Sequence, residues 1–172
     1  MNPNLTIAPC RVIDQPTVLA IINQSASAYK GHIPADCWHE PYMPSSEFDA
    51  EISRGVQFFG ATWSERIIGV MGIEQVKDVT LIRHAYVRPE FQRHGIGQRL
   101  LVALRNMSDR PVLIGTWAAA TWAVRFYEKN GFVLVGDAQR KELLRRYWAV
   151  PERQMEMAVV LVDEKWRARA AT

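Results

Sequence analysis

Alternation of apolar and polar residues marks strands along this chain, and apolar residues returning every three or four positions mark helices. LTIAPCRV (5–12) alternates and predicts a first strand ending near Asp14. VLAIINQSASAY (18–29) then predicts a helix. GHIPADCWHEPYMP (31–44), with a glycine and three prolines, predicts a loop. SSEFDAEISRG (45–55) has a serine at its start, acids in its first turn and a closing glycine, which predicts a short helix. VQFFGATW, IIGVMGIEQV and VTLIRHAYV follow as three strands on short polar turns, the pattern of an antiparallel meander. Over residues 97–107, Gly97, Leu100, Leu101 and Leu104 recur at i, i+3, i+4 and i+7, one apolar helix stripe. PVLIGTW (111–117) predicts a strand, and residues 119–130 a helix with Ala119, Ala123, Phe126 and Asn130 along one side. FVLVG (132–136) predicts a strand, AQRKELLRRYW (138–148) a basic helix or turn, and QMEMAVVLV (154–162) a last strand. The tail EKWRARAAT is expected to be loosely held.

A meander followed by strand–helix–strand–helix–strand, without repeats or a dividing linker, predicts one α+β domain over residues 1–172. Its core spans about residues 5–162, with a tail over 163–172, around a twisted, mixed, mostly antiparallel sheet flanked by helices. A content of 48% hydrophobic and 23% charged residues is that of a soluble globular chain rather than a disordered one. No apolar run approaches the ~18 residues of a membrane span, so no membrane partner is expected. The N-terminus lacks the basic start and apolar stretch of a signal peptide. Cys10 and Cys37 stand alone, without CxxC or metal-ligand spacing. A cytoplasmic protein with two reduced thiols and no metal is the expectation. The net charge of +3 is modest, and the basic clusters do not alternate with aromatics, which argues against nucleic acid as a partner. A small anionic ligand suits a local excess better.

That excess is concentrated in RPEFQRHGIGQRLL (88–101), where a strand runs through Pro89 into a helix beginning near Gly95. A helix start leaves N–H groups unpaired, and the helix dipole favours negative charge there. Gly95 and Gly97 allow a phosphate close to the backbone, and Arg93 supplies a counter-charge. An ordinary tight turn has the same residues. A dinucleotide fingerprint requires a third glycine where Leu100 stands, and a Walker loop requires Gly-Lys-Ser/Thr, so neither applies.

The run Gln92-Arg93-His94-Gly95-Ile96-Gly97 resembles the Q/R-x-x-G-x-G/A signature of the GNAT superfamily of N-acetyltransferases, preceded as in that family by Tyr86-Val87-x-Pro89. A second block, Ala123 followed by Phe126-Tyr127-Glu128-Lys129-Asn130-Gly131-Phe132, is similar to the family's FYEKxGF helix-to-strand junction. The resemblance covers about residues 5–162. It implies an α/β fold of three-layer type and acetyl-CoA as acetyl donor. It implies that the turn residues Arg93, His94, Gly95, Ile96, Gly97 and Gln98 face the pyrophosphate, with Ala85, Tyr86 and Val87 pairing by backbone with the pantetheine arm. It implies that Tyr127 protonates the leaving thiolate.

Acyl transfer to an amine also requires a base, because an alkylammonium has a pKa of ~10. Relatives that modify ribosomal-protein N-termini carry a glutamate base where this chain has Gly115, and many relatives carry a cofactor-touching asparagine where it has Ala120. His84 is the first alternative, because alternation places it on one face with Ile82 and Tyr86. Equally, it reads as a structural histidine bonded across the sheet. His39 and Glu40 are the second alternative. In the family the loop between the first two helices often walls the acceptor site, which implicates Trp38, His39, Glu40 and Tyr42, with Asp36 nearby. A proline-stiffened surface loop is the competing reading. Trp117, Trp122 and Trp148 are expected in the core, and Glu74 and Asp78 on the surface. The expected activity is direct acetyl transfer to a primary amine of a small molecule or peptide, with no covalent enzyme intermediate. The alternative is a non-catalytic acyl-CoA-binding module. Homodimerisation stays open.

Overall fold

The computed structural model describes residues 5–170. The first strand, β1 (Thr6–Pro9), leads into α1 (Gln15–Ala26), which has Pro16 in its first turn, where the missing N–H costs nothing. Val18, Ile21, Ile22 and Ser25 are buried at i, i+3, i+4 and i+7, the stripe that makes this segment a helix. The segment after it contains two 3-10 turns, Ser27–Tyr29 and Ala35–Cys37. α2 (Ser45–Arg54) follows. Its N-terminal residue is Pro44 rather than a serine cap, and the Pro44 carbonyl accepts the N–H groups of Glu47 and Phe48, both at 3.1 Å. Gly55 ends the helix in the left-handed region, φ 110°, as its position predicts.

The meander forms as expected: β2 (Gln57–Trp63), β3 (Arg66–Val76) and β4 (Val79–Val87). Ser64 and Glu65 between the first two both have positive φ, which a primed two-residue hairpin turn requires. The remaining elements are α3 (Ile96–Asn106), β5 (Val112–Trp117), α4 (Thr121–Lys129), β6 (Val133–Leu134), α5 (Asp137–Tyr147), α6 (Glu152–Met157), β7 (Ala158–Val162) and α7 (Glu164–Ala170). The seven strands form one sheet in the order β1-β2-β3-β4-β5-β7-β6. β4 and β5 run parallel, joined through α3, while the pairs β1/β2, β2/β3, β5/β7 and β6/β7 are antiparallel. The sheet is therefore mixed, within an α+β fold.

The chain divides into two compact units. One comprises the segments up to Ala28, His39–Glu74 and Arg83–Met107; the other comprises Tyr29–Trp38, Gln75–Ile82 and the chain from Ser108 onward. The first is built on Val18, Ile21, Ile22, Met43, Phe48, Val56, Phe58 and Val70. The second is built on Val79, Leu81, Leu113, Leu143, Leu144, Tyr147 and the inner residues of β7.

Three expectations are corrected. Residues 152–157 form a helix before the last strand, since Pro151 accepts the N–H groups of Gln154 and Met155, both at 3.0 Å, and so starts a helical turn. In α4 the buried residue is Tyr127. The tail is not loose up to Ala170: buried Asp163 accepts the Trp166 N–H at 3.0 Å, capping α7, and the Val112 N–H at 3.0 Å. The last two residues of that tail lie outside the described residues. Glu74, expected on the surface, is 8% exposed and paired with Arg83, whereas Asp78 stays at the surface as expected, accepting the Tyr147 hydroxyl at 2.8 Å and meeting Arg169 at 3.2 Å.

Leu100 is fully buried on α3, while Val102 on the same helix is 47% exposed. Leu100→Ala is expected to lower unfolding free energy by about 2–5 kcal/mol, and Val102→Ala by well under 1 kcal/mol. Urea unfolding of both variants checks the difference.

Candidate functional site

β4 pairs with β5 only over Thr80–Ile82, so the backbone of Ala85, Tyr86 and Val87 lies outside that ladder. The Val87 carbonyl accepts the Ser25 hydroxyl and the Gln92 side-chain amide, each at 3.1 Å, which fixes the strand end. A 3-10 turn, Pro89–Phe91, follows, and then the chain reverses through Arg93 (φ 63°) and Gly95 (φ 76°). Gly95 is the residue before α3 and no side chain caps the helix. The Gly95 carbonyl takes the Arg99 N–H at 3.0 Å, so the N–H groups of Ile96, Gly97 and Gln98 have no acceptor within the helix. A Cβ built on Gly95 meets nothing within 4 Å. His94 folds back on the turn, its Nδ1 2.7 Å from the Gln92 carbonyl oxygen, while Arg93 is exposed. The result is an uncapped, open helix start with a cation beside it, which suits an anionic group.

His84 departs from the regular strand. Its φ is 50°, a region in which histidine is enriched among non-glycine residues but which is still uncommon. Consecutive residues Arg83 and His84 reach the same carboxylate, so the alternation that would put His84 on one face with Ile82 and Tyr86 does not hold here. Such a break is what a β-bulge produces. The carboxylate is that of Glu51 on α2. His84 Nε2 lies 3.0 Å from Glu51 Oε2, Arg83 Nη2 lies 2.9 Å from Oε1, and Arg54 also contacts Oε1. Arg83 Nη1 donates to Glu74 at 2.8 Å. The His84 ring packs on Phe58, with centroids 5.8 Å apart. Burial by itself raises Glu51, but the hydrogen bond from His84 and the charges of Arg83, His84 and Arg54 together overcome it and lower the carboxyl from 4.5 to about 2.

Tyr127 is buried against Phe126 and Phe132, with ring centroids at 5.1 and 6.1 Å. Its carbonyl accepts the N–H groups of Asn130 and Phe132, and Gly131 turns at φ 87°. The FYEKxGF-like block is thus a helix end that anchors the tyrosine. Burial, and then the neighbouring Tyr29, raise the Tyr127 hydroxyl well above the ordinary tyrosine range. The hydroxyl therefore keeps its proton at neutral pH. The position of the absent glutamate is filled by an indole: a Cβ on Gly115 would stand 3.1 Å from Trp148 Nε1 and Cε2. Ala120 is fully buried before α4.

The loop residues divide. His39 Nδ1 lies 2.7 Å from the Pro41 carbonyl oxygen and its ring stacks on Tyr42 at 6.2 Å, with Glu40 exposed between them. Trp38 belongs to the other compact unit. There Asp36 is bonded to Arg153 Nε at 2.8 Å, which holds the acid below its usual range. Trp122, expected in the core, is 42% exposed, stacked on Tyr29 at 5.9 Å and met edge-on by His32 at 5.2 Å. Trp117 is buried and Trp148 half-buried. Sequence reasoning missed Glu51, Arg83 and the Tyr29–His32–Trp122 group. A signal for Glu51 existed, because it falls three residues after Phe48, on the buried stripe of α2.

A family model described as "Acetyltransferase (GNAT) domain" matches residues 22–147. The chain belongs to the GNAT acetyltransferases, and it is an enzyme of the acetyltransferase class. Among solved structures it is similar to a PaiA N-acetyltransferase from Thermoplasma acidophilum in complex with coenzyme A, with 17% identity and a TM-score of 0.69 over 92% of this chain and 98% of that one. It is also similar to a GNAT family acetyltransferase from Elizabethkingia anophelis with acetyl-CoA bound, with 21% identity and a TM-score of 0.61 over 95% and 99%. A third is a ribosomal-protein alanine N-acetyltransferase from Escherichia coli, with 17% identity and a TM-score of 0.63 over 92% of each chain. At these identities the likeness is one of fold. Among the described residues, no helix is long and apolar enough to cross a membrane.

Because the folded state lowers the Glu51 pKa, the stabilisation it brings is complete above about 4.5 and is lost as pH falls toward 2. Glu51→Gln is therefore expected to unfold at lower urea than wild type at pH 7, with the gap closing between pH 4.5 and 2. Urea midpoints measured across that range check the closing.

Proposed function

We propose that the chain transfers an acetyl group from acetyl-CoA to a primary amine of a small molecule or peptide, by direct attack. The observation that carries this reading is the open, uncapped turn at Gly95. Arg93, His94, Gly95, Ile96, Gly97 and Gln98 hold the pyrophosphate, chiefly through backbone N–H groups at the start of α3. Ala85, Tyr86 and Val87 offer backbone groups outside the β4–β5 ladder to the pantetheine arm. The empty space around Gly95 is the fit such a ligand needs.

The amine nitrogen attacks the thioester carbonyl, a C–N bond forms, and negative charge gathers on oxygen beside the Val87 N–H. The amine proton passes to His84, directly or through one water. The C–S bond then breaks, and the Tyr127 hydroxyl donates to the departing sulfur. Its raised pKa suits stabilisation of thiolate charge by a hydrogen bond held throughout the step. A covalent acyl-cysteine is disfavoured at Cys10, where burial, and then Asp14, push the thiol up to about 11. Trp38, His39, Glu40 and Tyr42 are the acceptor-side residues in this reading.

Gly95→Leu is expected to weaken CoA binding at least ~10-fold in calorimetry, which is about 1.4 kcal/mol. Far-UV circular dichroism should show the fold retained. Unchanged affinity overturns the cofactor assignment. CoA release measured across a panel of amines tests the transfer itself, and CoA binding without release on any amine marks a binding module instead.

Tyr127→Phe is expected to lower kcat about 10²-fold with CoA affinity unchanged. A variant with wild-type kcat reduces Tyr127 to a packing residue.

A further inference from the structure

A carboxylate in the buried stripe of a helix is costly unless its surroundings repay the lost hydration. Glu51 is such a group, 3% exposed. Its two oxygens are divided between partners. Oε1 takes the guanidinium groups of Arg83, at 2.9 Å, and Arg54, while Oε2 takes only the imidazole Nε2, at 3.0 Å. The formal charges of the cluster already cancel without the imidazole. Glu51 and Glu74 carry the negative charges, and Arg83 and Arg54 the positive ones. To act as a base the imidazole must be neutral, and in that state it meets a carboxylate oxygen at Nε2. An oxygen that only accepts requires a donor there, so Nε2 bears the hydrogen and Nδ1 bears the lone pair. Among the described residues Nδ1 has no hydrogen-bond partner.

The backbone is consistent with a built device. His84 sits at φ 50°, a conformation that a non-glycine residue keeps only where its surroundings hold it there. The conformation brings Arg83 and His84 to one carboxylate, which a regular strand with alternating side chains does not do.

We propose that Glu51 is a positioning residue for acetyl transfer: it holds His84 in the Nε2–H tautomer and so makes Nδ1 the atom that accepts the amine proton. This rests on the reading of His84 as the base. As the proton arrives at Nδ1, the imidazole becomes cationic, and Glu51 Oε2 supplies the counter-charge at the opposite nitrogen. The proton leaves to solvent after product release, and Glu51 stays ionised throughout. The groups facing His84 are Glu51 and Arg54 from α2, Arg83 from its own strand, Glu74 from β3 through Arg83, and the Phe58 ring from β2.

The test compares Glu51→Gln, His84→Ala and the double variant, using the best acceptor from the amine panel. Glu51→Gln is expected to lower kcat by about 10- to 10²-fold with CoA affinity unchanged. It should also move the acid limb of the pH–rate profile to lower pH, since the imidazolium loses its carboxylate. His84→Ala should remove that limb, and adding Glu51→Gln to it should cost nothing further. If His84→Ala lowers the rate while Glu51→Gln leaves kcat and profile unchanged, the positioning role falls and the base stands. If His84→Ala keeps the wild-type rate and profile, the base reading falls first. Should Glu51→Gln fail to fold, long-range proton–nitrogen correlation of the wild-type imidazole decides. An Nε2–H neutral tautomer supports the role, and an Nδ1–H tautomer overturns it.

Discussion

A charge removed from water must be answered on the spot, and around Glu51 that requirement ties three elements together. Burial alone drives its proton on; the imidazole of His84 and the guanidinium groups of Arg83 and Arg54 drive it off, and they win, to about 2. The carboxylate thereby bonds α2 to β4, and Arg83 carries the link onward to Glu74 on β3. Apolar residues replacing the whole cluster would hold these elements as well or better, whereas removing Glu51 alone leaves Arg83 and Arg54 without their counter-charge. What the cluster specifies is geometry. It selects which atoms of His84 point to protein and fixes a strand conformation that strict alternation does not supply.

The turn before α3 depends on a different constraint, the supply of unpaired donors. Helix starts are ordinarily closed by a serine, threonine or aspartate side chain. Here the residue before the helix is Gly95, which brings no side chain and adopts φ 76°. The donors of the first helical turn are left without a side-chain cap. Arg93, also in the left-handed region, adds positive charge without covering them. Tyr127 illustrates a third case. Burial, with Phe126 and Phe132 packed on its ring, and then Tyr29 raise its pKa, and so keep the proton on the hydroxyl. Trp148 over Gly115 shows why a family base can disappear cleanly: the indole occupies the room a side chain would need.

Local sequence was enough wherever a property depends on neighbours in the chain. The order of strands and helices, the hairpin turns, the glycine turn and the tyrosine block were all legible, because periodicity, chain reversals and helix ends are set within a few residues. Only the tertiary structure decided the rest. Residues 152–157 resembled strand but became helix after Pro151. Glu74 resembled a surface acid until Arg83 came to it across the sheet. The apolar run 132–136 paired over just Val133 and Leu134, because pairing length depends on β7 and not on the run itself. For His84 the sequence determined that an imidazole stands near the end of β4. Which nitrogen faces a carboxylate, and whether the strand alternates there, depend on Glu51, thirty-three positions away in the chain. A contact over such a separation leaves no local pattern, and its electrostatic consequences exist only once the fold has excluded water from it.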